Sequence, residues 1–190
     1  MRRSSLFLIA VATVAGVAIV ACSSSASGRD KEESAPIYGI KIPPGYRDWT
    51  LISVARVGGT LNDLRAKLGN DVAINAYREG KTSFPEGAII ARLAWKQDTS
   101  EENNKALRPL LERGLDNAVA KSLLAESFIA GPPTNVQFMV KDSKKYASAG
   151  GWGFAQFTNG KPDGEDLHKT CFPCHAPAKD RDFVFTRYAP

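Results

Sequence analysis

The chain has 190 residues, with 25 Lys+Arg against 20 Asp+Glu, 43% hydrophobic and 24% charged. That balance belongs to a globular protein and excludes wholesale disorder, and three cysteines exclude a disulfide-dense scaffold. No basic run resembles a nucleic-acid arm, so nucleic acid is not an expected partner.

The chain opens with Arg2-Arg3 and continues in an uncharged run from Leu6 to Val20, then Ala21-Cys22. This pattern predicts a signal peptide over residues 1–21 ending in a lipobox-like site, with Cys22 lipidated. The apolar run is shorter than the roughly 20 residues that span a bilayer, which disfavours a retained transmembrane helix. Residues 22–36, Ser-rich and then charged, read as a flexible tether to one folded domain over 37–190. The expected location is the periplasmic face of a bacterial membrane, the outer one, held through the lipid.

Within the domain, Pro43-Pro44-Gly45 predicts a turn, and the β-branched run over 49–57 a strand stopped by Gly58-Gly59. Residues 61–68 are ambiguous: Leu61, Leu64 and Leu68 fit a helix, but the stretch is short. A helix is expected over 70–79, N-capped by Asn70 or Asp71 and stopped by Gly80, followed by a loop and a strand over 88–96. Residues 99–128 place Leu107, Leu110, Leu111, Leu115, Val119 and Leu123 at helical spacing, as one long helix or a hairpin bending near Gly114. Alternation of Val136, Phe138 and Val140 predicts a strand over 134–141, and 154–158 a further short one.

Chemistry concentrates at Cys171-Phe172-Pro173-Cys174-His175. Cys-x-x-Cys-His is the attachment pattern of haem c: two sulfurs one backbone turn apart reach both vinyl groups of one porphyrin, and the following histidine lies under the iron. A thioredoxin-type disulfide would sit early in a βα unit, and a zinc site would need a second ligand pair, for which only His168 remains. The predicted cofactor is one covalent haem c, with Cys171 and Cys174 as thioether residues and His175 as the iron ligand. For the opposite face of the iron, Met139 reads more readily as packing than as a sulfur ligand. His168 lies too close in sequence to fold back and reads as a surface or supporting histidine. An open distal site is therefore expected.

The segments Ile42-Pro43-Pro44-Gly45-Tyr46-Arg47-Asp48-Trp49, Gly69-Asn70-Asp71-Val72-Ala73, Phe84-Pro85-Glu86-Gly87, Gln137-Phe138-Met139-Val140-Lys141-Asp142, Gly151-Trp152-Gly153-Phe154 and His168 to His175, with the closing Phe183 to Tyr188, resemble the cytochrome P-460 family. The resemblance implies an α+β fold, a mostly antiparallel β-sheet with flanking helices rather than a four-helix bundle, often as a homodimer. Residues 99–128 then read as a helical insertion. The family has two functional types. One oxidises hydroxylamine and carries a lysine–haem link; the other, cytochrome c′-β, lacks the link and binds nitric oxide at a site capped by phenylalanines. Enzyme and non-enzymatic gas-binding or electron-transfer cytochrome both stay open, with a small nitrogenous ligand and a periplasmic electron-transfer protein as expected partners. Asp142 is the candidate proton acceptor and Arg56 the candidate stabiliser of a distal anion. Lys81, in the loop after Gly80, is the first candidate for a haem link and Lys67 the second. Phe84 is the candidate distal cap.

Overall fold

The computed structural model describes residues 33–188. The predicted signal peptide and Cys22 lie outside the described residues. Ala35, assigned from sequence to the tether, is buried and donates its N–H to the Ile40 carbonyl at 2.7 Å, so the folded part reaches back at least that far.

Six strands form one antiparallel meander in chain order: β1 Thr50–Val57, β2 Asp63–Gly69, β3 Ile89–Asp98, β4 Ile129–Lys141, β5 Trp152–Thr158 and β6 Lys161–Pro162. Helices α1 Asp71–Arg78, α2 Glu101–Gly114, α3 Asn117–Ala125 and α4 Glu165–His175 flank it. This is the expected α+β architecture and not a helical bundle. Among the described residues no helix is long and apolar enough to cross a membrane.

The ambiguous stretch after Gly59 is a strand. Asp63-Leu64-Arg65-Ala66-Lys67-Leu68 alternates strictly, charged residues on one face and apolar on the other, which is the two-residue period of a strand. The leucine spacing there fits a helix by coincidence. α1 begins where expected: the Asn70 side chain accepts from the backbone N–H groups of Ala73 and Ile89, each at 3.0 Å, capping the helix and tying it to β3. The stretch of helical leucine spacing is a helical hairpin, α2 capped by Ser100 and α3 by Asp116. β4 starts earlier than the sequence suggests and contains Pro132 and Pro133. A proline cannot donate to a ladder, and the β3–β4 register shifts on both sides of the Trp95–Pro133 pair to absorb this.

The sheet has two differently used faces. On one, Leu68, Ala91, Leu93, Val136, Phe138, Ala155 and Phe157 form a core closed by Ile40, Tyr46 and Trp49 of the N-terminal segment. On the other, Ile52, Ile74, Ile90, Trp152, Phe154 and Val184 form a second core, against which Met139, Cys171, Phe172 and Phe183 pack. The haem-type motif lies on this second face.

Candidate functional site

α4 lacks a side-chain cap at Gly164, but Glu165 and Asp166 in its first turn suit the positive end of the helix dipole. Its 3.6-residue period puts Leu167, Thr170, Cys171, Cys174 and His175 on one stripe, and all five line a cavity of about 700 Å³. His168 falls on the opposite side and is wholly buried. Its Nδ1–H donates to the Gly164 carbonyl at 2.9 Å, and its Nε2 accepts the Gln156 N–H at 3.0 Å. It is thus a rivet between α4 and β5, not a surface residue, and has no nitrogen left for a metal.

His175 is fixed from three sides. Its Nδ1–H donates to the Phe183 carbonyl at 2.8 Å, and its ring lies 4.9 Å from that of Phe154 and 5.4 Å from that of Phe185. The bond at Nδ1 sets the tautomer and leaves Nε2 with its lone pair free to ligate a metal. Burial lowers the pKa of His175 and the bond to Phe183 opposes this, so at neutral pH the ring is the neutral, metal-binding form. Burial, with Cys174 nearby, raises the Cys171 thiol.

The accepting carbonyl belongs to a pinned turn. Asp182 and Phe183 both adopt left-handed backbone, at φ 51° and 63°. The Asp182 carboxylate holds them there: Oδ1 accepts from Lys141 Nζ at 2.6 Å and Oδ2 from the Phe84 N–H at 2.8 Å. Lys141 is buried, its ammonium 5.1 Å from the centre of the Trp152 ring. Gly150, at φ 67°, makes room for the Phe183 ring, which any Cβ there would strike.

The sheet wall of the cavity is built in rows. Ile90, Met139 and Phe154 are cross-strand partners and form an apolar row. The adjacent row, Lys67–Arg92–Gln137–Gln156, is polar across four strands. Beside it, Arg65 grips Asp63 through two hydrogen bonds of 3.0 and 3.1 Å. Burial and the charge of Arg65, opposed by Asp63, push the Arg92 guanidinium down to about 10, and burial with Arg65 and Arg92 lowers Lys67.

Of the residues proposed from sequence, Cys171, Cys174, His175, Met139 and Lys67 line this cavity. The others lie elsewhere. Lys81 is half-exposed and ion-paired with Glu79, and does not line the cavity. Phe84 is buried between Tyr77 and Trp152, at ring separations of 5.0 and 5.6 Å, as core rather than cap. Asp142 turns its carboxylate to the N–H groups of Lys144 and Lys145, closing the turn after β4. Arg56 bonds Gln97 and stacks on Phe128, its guanidinium 4.4 Å from the ring centre. The sequence reading missed Asp63, Arg65, Arg92, Gln137 and Gln156.

The donor set fits one haem: two cysteines three apart and a neutral, oriented imidazole, on one side of a largely apolar cavity within the roughly 300–1,000 Å³ of cofactor pockets. Fold and site together define a haem c cytochrome on an antiparallel sheet. The family model for Cytochrome P460 matches residues 43–186, and the chain belongs to that family, which carries haem c and its iron. No curated protein matches the chain.

Proposed function

We propose that this cytochrome is a periplasmic, lipid-anchored protein with one covalent haem that binds small nitrogen ligands, nitric oxide foremost, at an open iron site. Thioether bonds form at Cys171 and Cys174, Cys22 carries the lipid, and a periplasmic redox protein exchanges electrons with the haem. When bound, the haem supplies a redox-active iron with one position for a diatomic or similarly small ligand. His175 holds the iron through Nε2; Phe154 and Phe185 limit its ring rotation; the Phe183 carbonyl keeps the proton on Nδ1. The observation that carries the reading is that His168, the other histidine, has both nitrogens bonded, which leaves Met139 in the Ile90–Phe154 row as the one further sulfur beside the cavity among the described residues.

Hydroxylamine oxidation is the second reading, and one observation favours it. Lys67 lines the cavity and has no ion pair among the described residues, so it replaces Lys81 as the lysine placed for a haem link. Against it, the cavity's carboxylate, Asp63, is tied to Arg65 and poorly placed to take a substrate proton. Spectra of the ferrous protein with and without carbon monoxide or nitric oxide test the two. A high-spin ferrous haem with an ordinary c-type Soret band that shifts on adding either gas supports ligand binding. A strongly red-shifted Soret band, with a second tryptic peptide containing Lys67 on the haem peptide, supports the linked enzyme. A low-spin spectrum abolished by Met139→Ala contradicts both.

A further inference from the structure

We infer that the sheet wall of the cavity carries a site for a small anion, a carboxylate or a nitrogen oxyanion, held by Arg92 and Lys67. The inference rests on the haem reading for its spectroscopic readout and for one of the two sources of the anion; the donors themselves are a property of the sheet.

Lys67 and Arg92 are direct cross-strand partners on one face. Opposed side chains in an antiparallel pair stand about 5 Å apart at Cβ, and like charges so placed repel. A pair of this kind is tolerated when an anion lies between or above the two. Asp63 is the near carboxylate, but both its oxygens are gripped by Arg65, and Arg92 approaches it only to 3.9 Å. The remaining bond from Arg92 goes to the neutral Asn135 carbonyl oxygen. Arg92 Nε is buried without a partner among the described residues, and a buried N–H left without an acceptor is a cost that native structures rarely carry. The rest of the row brings no negative charge. Gln137 donates to Gln156, and Gln156 to Asp163 Oδ2 at 2.6 Å, an oxygen that also accepts from Thr158, and Asp163 does not line the cavity. α4 and the segment after His175 contribute Leu167, Thr170, Val184, Phe185 and Thr186 to the lining, none of them acidic. The lining thus holds three cations against one carboxylate, and the unspent donors are on the sheet.

Two sources supply the anion: the carboxylates of the haem itself, or a free oxyanion such as nitrite brought to the iron. Purified holoprotein, wild type and Arg92→Gln and Lys67→Gln, separates them. Lys67 has no hydrogen-bond or ion-pair partner among the described residues to lose, so Lys67→Gln keeps the test open if Arg92→Gln does not fold. Nitrite is titrated by the haem spectrum and, independently of any chromophore, by calorimetry, with uncharged nitric oxide titrated alongside. Vibrational spectra record the haem carboxylate bending bands. A fall of tenfold or more in the preference for nitrite over nitric oxide, or in calorimetric nitrite affinity, establishes the free oxyanion. Unchanged nitrite binding with shifted carboxylate bands establishes the haem carboxylate. If neither variant alters nitrite binding or those bands, the anion site is wrong. A chain whose intact mass shows no haem defeats the proposed function, while nitrite heat lost in the variants still upholds the site and its absence in the wild type refutes it.

Discussion

The two walls of the cavity are built on opposite principles. On the α4 wall almost every polar group that bears on His175 has its partner: Nδ1 on the Phe183 carbonyl, the Asp182 carboxylate on Lys141 and the Phe84 N–H, the backbone N–H groups of Asp182 and Phe183 on Lys179 and Ala178. On the sheet wall, donors are left over at Arg92 and Lys67. The comparison teaches what each wall is for. A wall with its hydrogen bonds complete holds one geometry and suits a permanent iron ligand; a wall with unspent donors suits something that arrives.

The largest expected break comes at the ion pair behind the histidine. Asp182→Ala leaves Lys141 buried without its counter-charge, which costs about 3–5 kcal/mol in comparable buried pairs. It also frees the left-handed turn that aims the Phe183 carbonyl. Denaturant unfolding of the holoprotein should show that loss, and the ferrous iron–histidine stretching band should shift to lower frequency. Stability lost with an unmoved band would mean that the turn supports the fold but not the ligand. Gly150→Ala attacks the same turn through its neighbour, since the new Cβ strikes the Phe183 ring from a left-handed backbone position; about 1–3 kcal/mol should be lost.

His168→Phe should sharpen the contrast between the two histidines. It strands the part-buried Gln156 N–H and should cost about 1–3 kcal/mol, while the haem spectrum stays as in wild type. A changed spin state would make His168 an iron ligand. The smallest effect is expected at the lysine chosen first from sequence. Lys81→Ala removes an exposed pair with Glu79 and should leave stability, spectrum and nitrite binding indistinguishable from wild type, whereas Lys67→Ala should weaken nitrite binding.

What was legible follows the range of the signals. The haem attachment pattern occupies five consecutive residues, and the Asn70 cap, the strand before Gly58 and the alternation Val136–Phe138–Val140 are equally local. The sheet wall is not local: its polar row takes one side chain from each of four strands, joined only by register. Two traces of it were nonetheless present. Asp63 to Leu68 alternates charged and apolar residues, a pattern that reads as a solvated strand face, although here the charged face lines a cavity. Arg92 is the one charge within the apolar run 89–95 of β3, where a solitary charge needs a partner. Lys81, Phe84, Asp142 and Arg56 were placed by closeness in sequence to strand ends and loops, and the meander carries those ends away from the cavity.

The central claim is that Cys171, Cys174 and His175 hold one haem in this cavity, and intact mass after acid–acetone extraction tests it most directly. The account predicts a chain that keeps one haem, and a Cys171→Ala, Cys174→Ala double variant that gives it up. A wild-type chain that releases all its haem under the same treatment would contradict it.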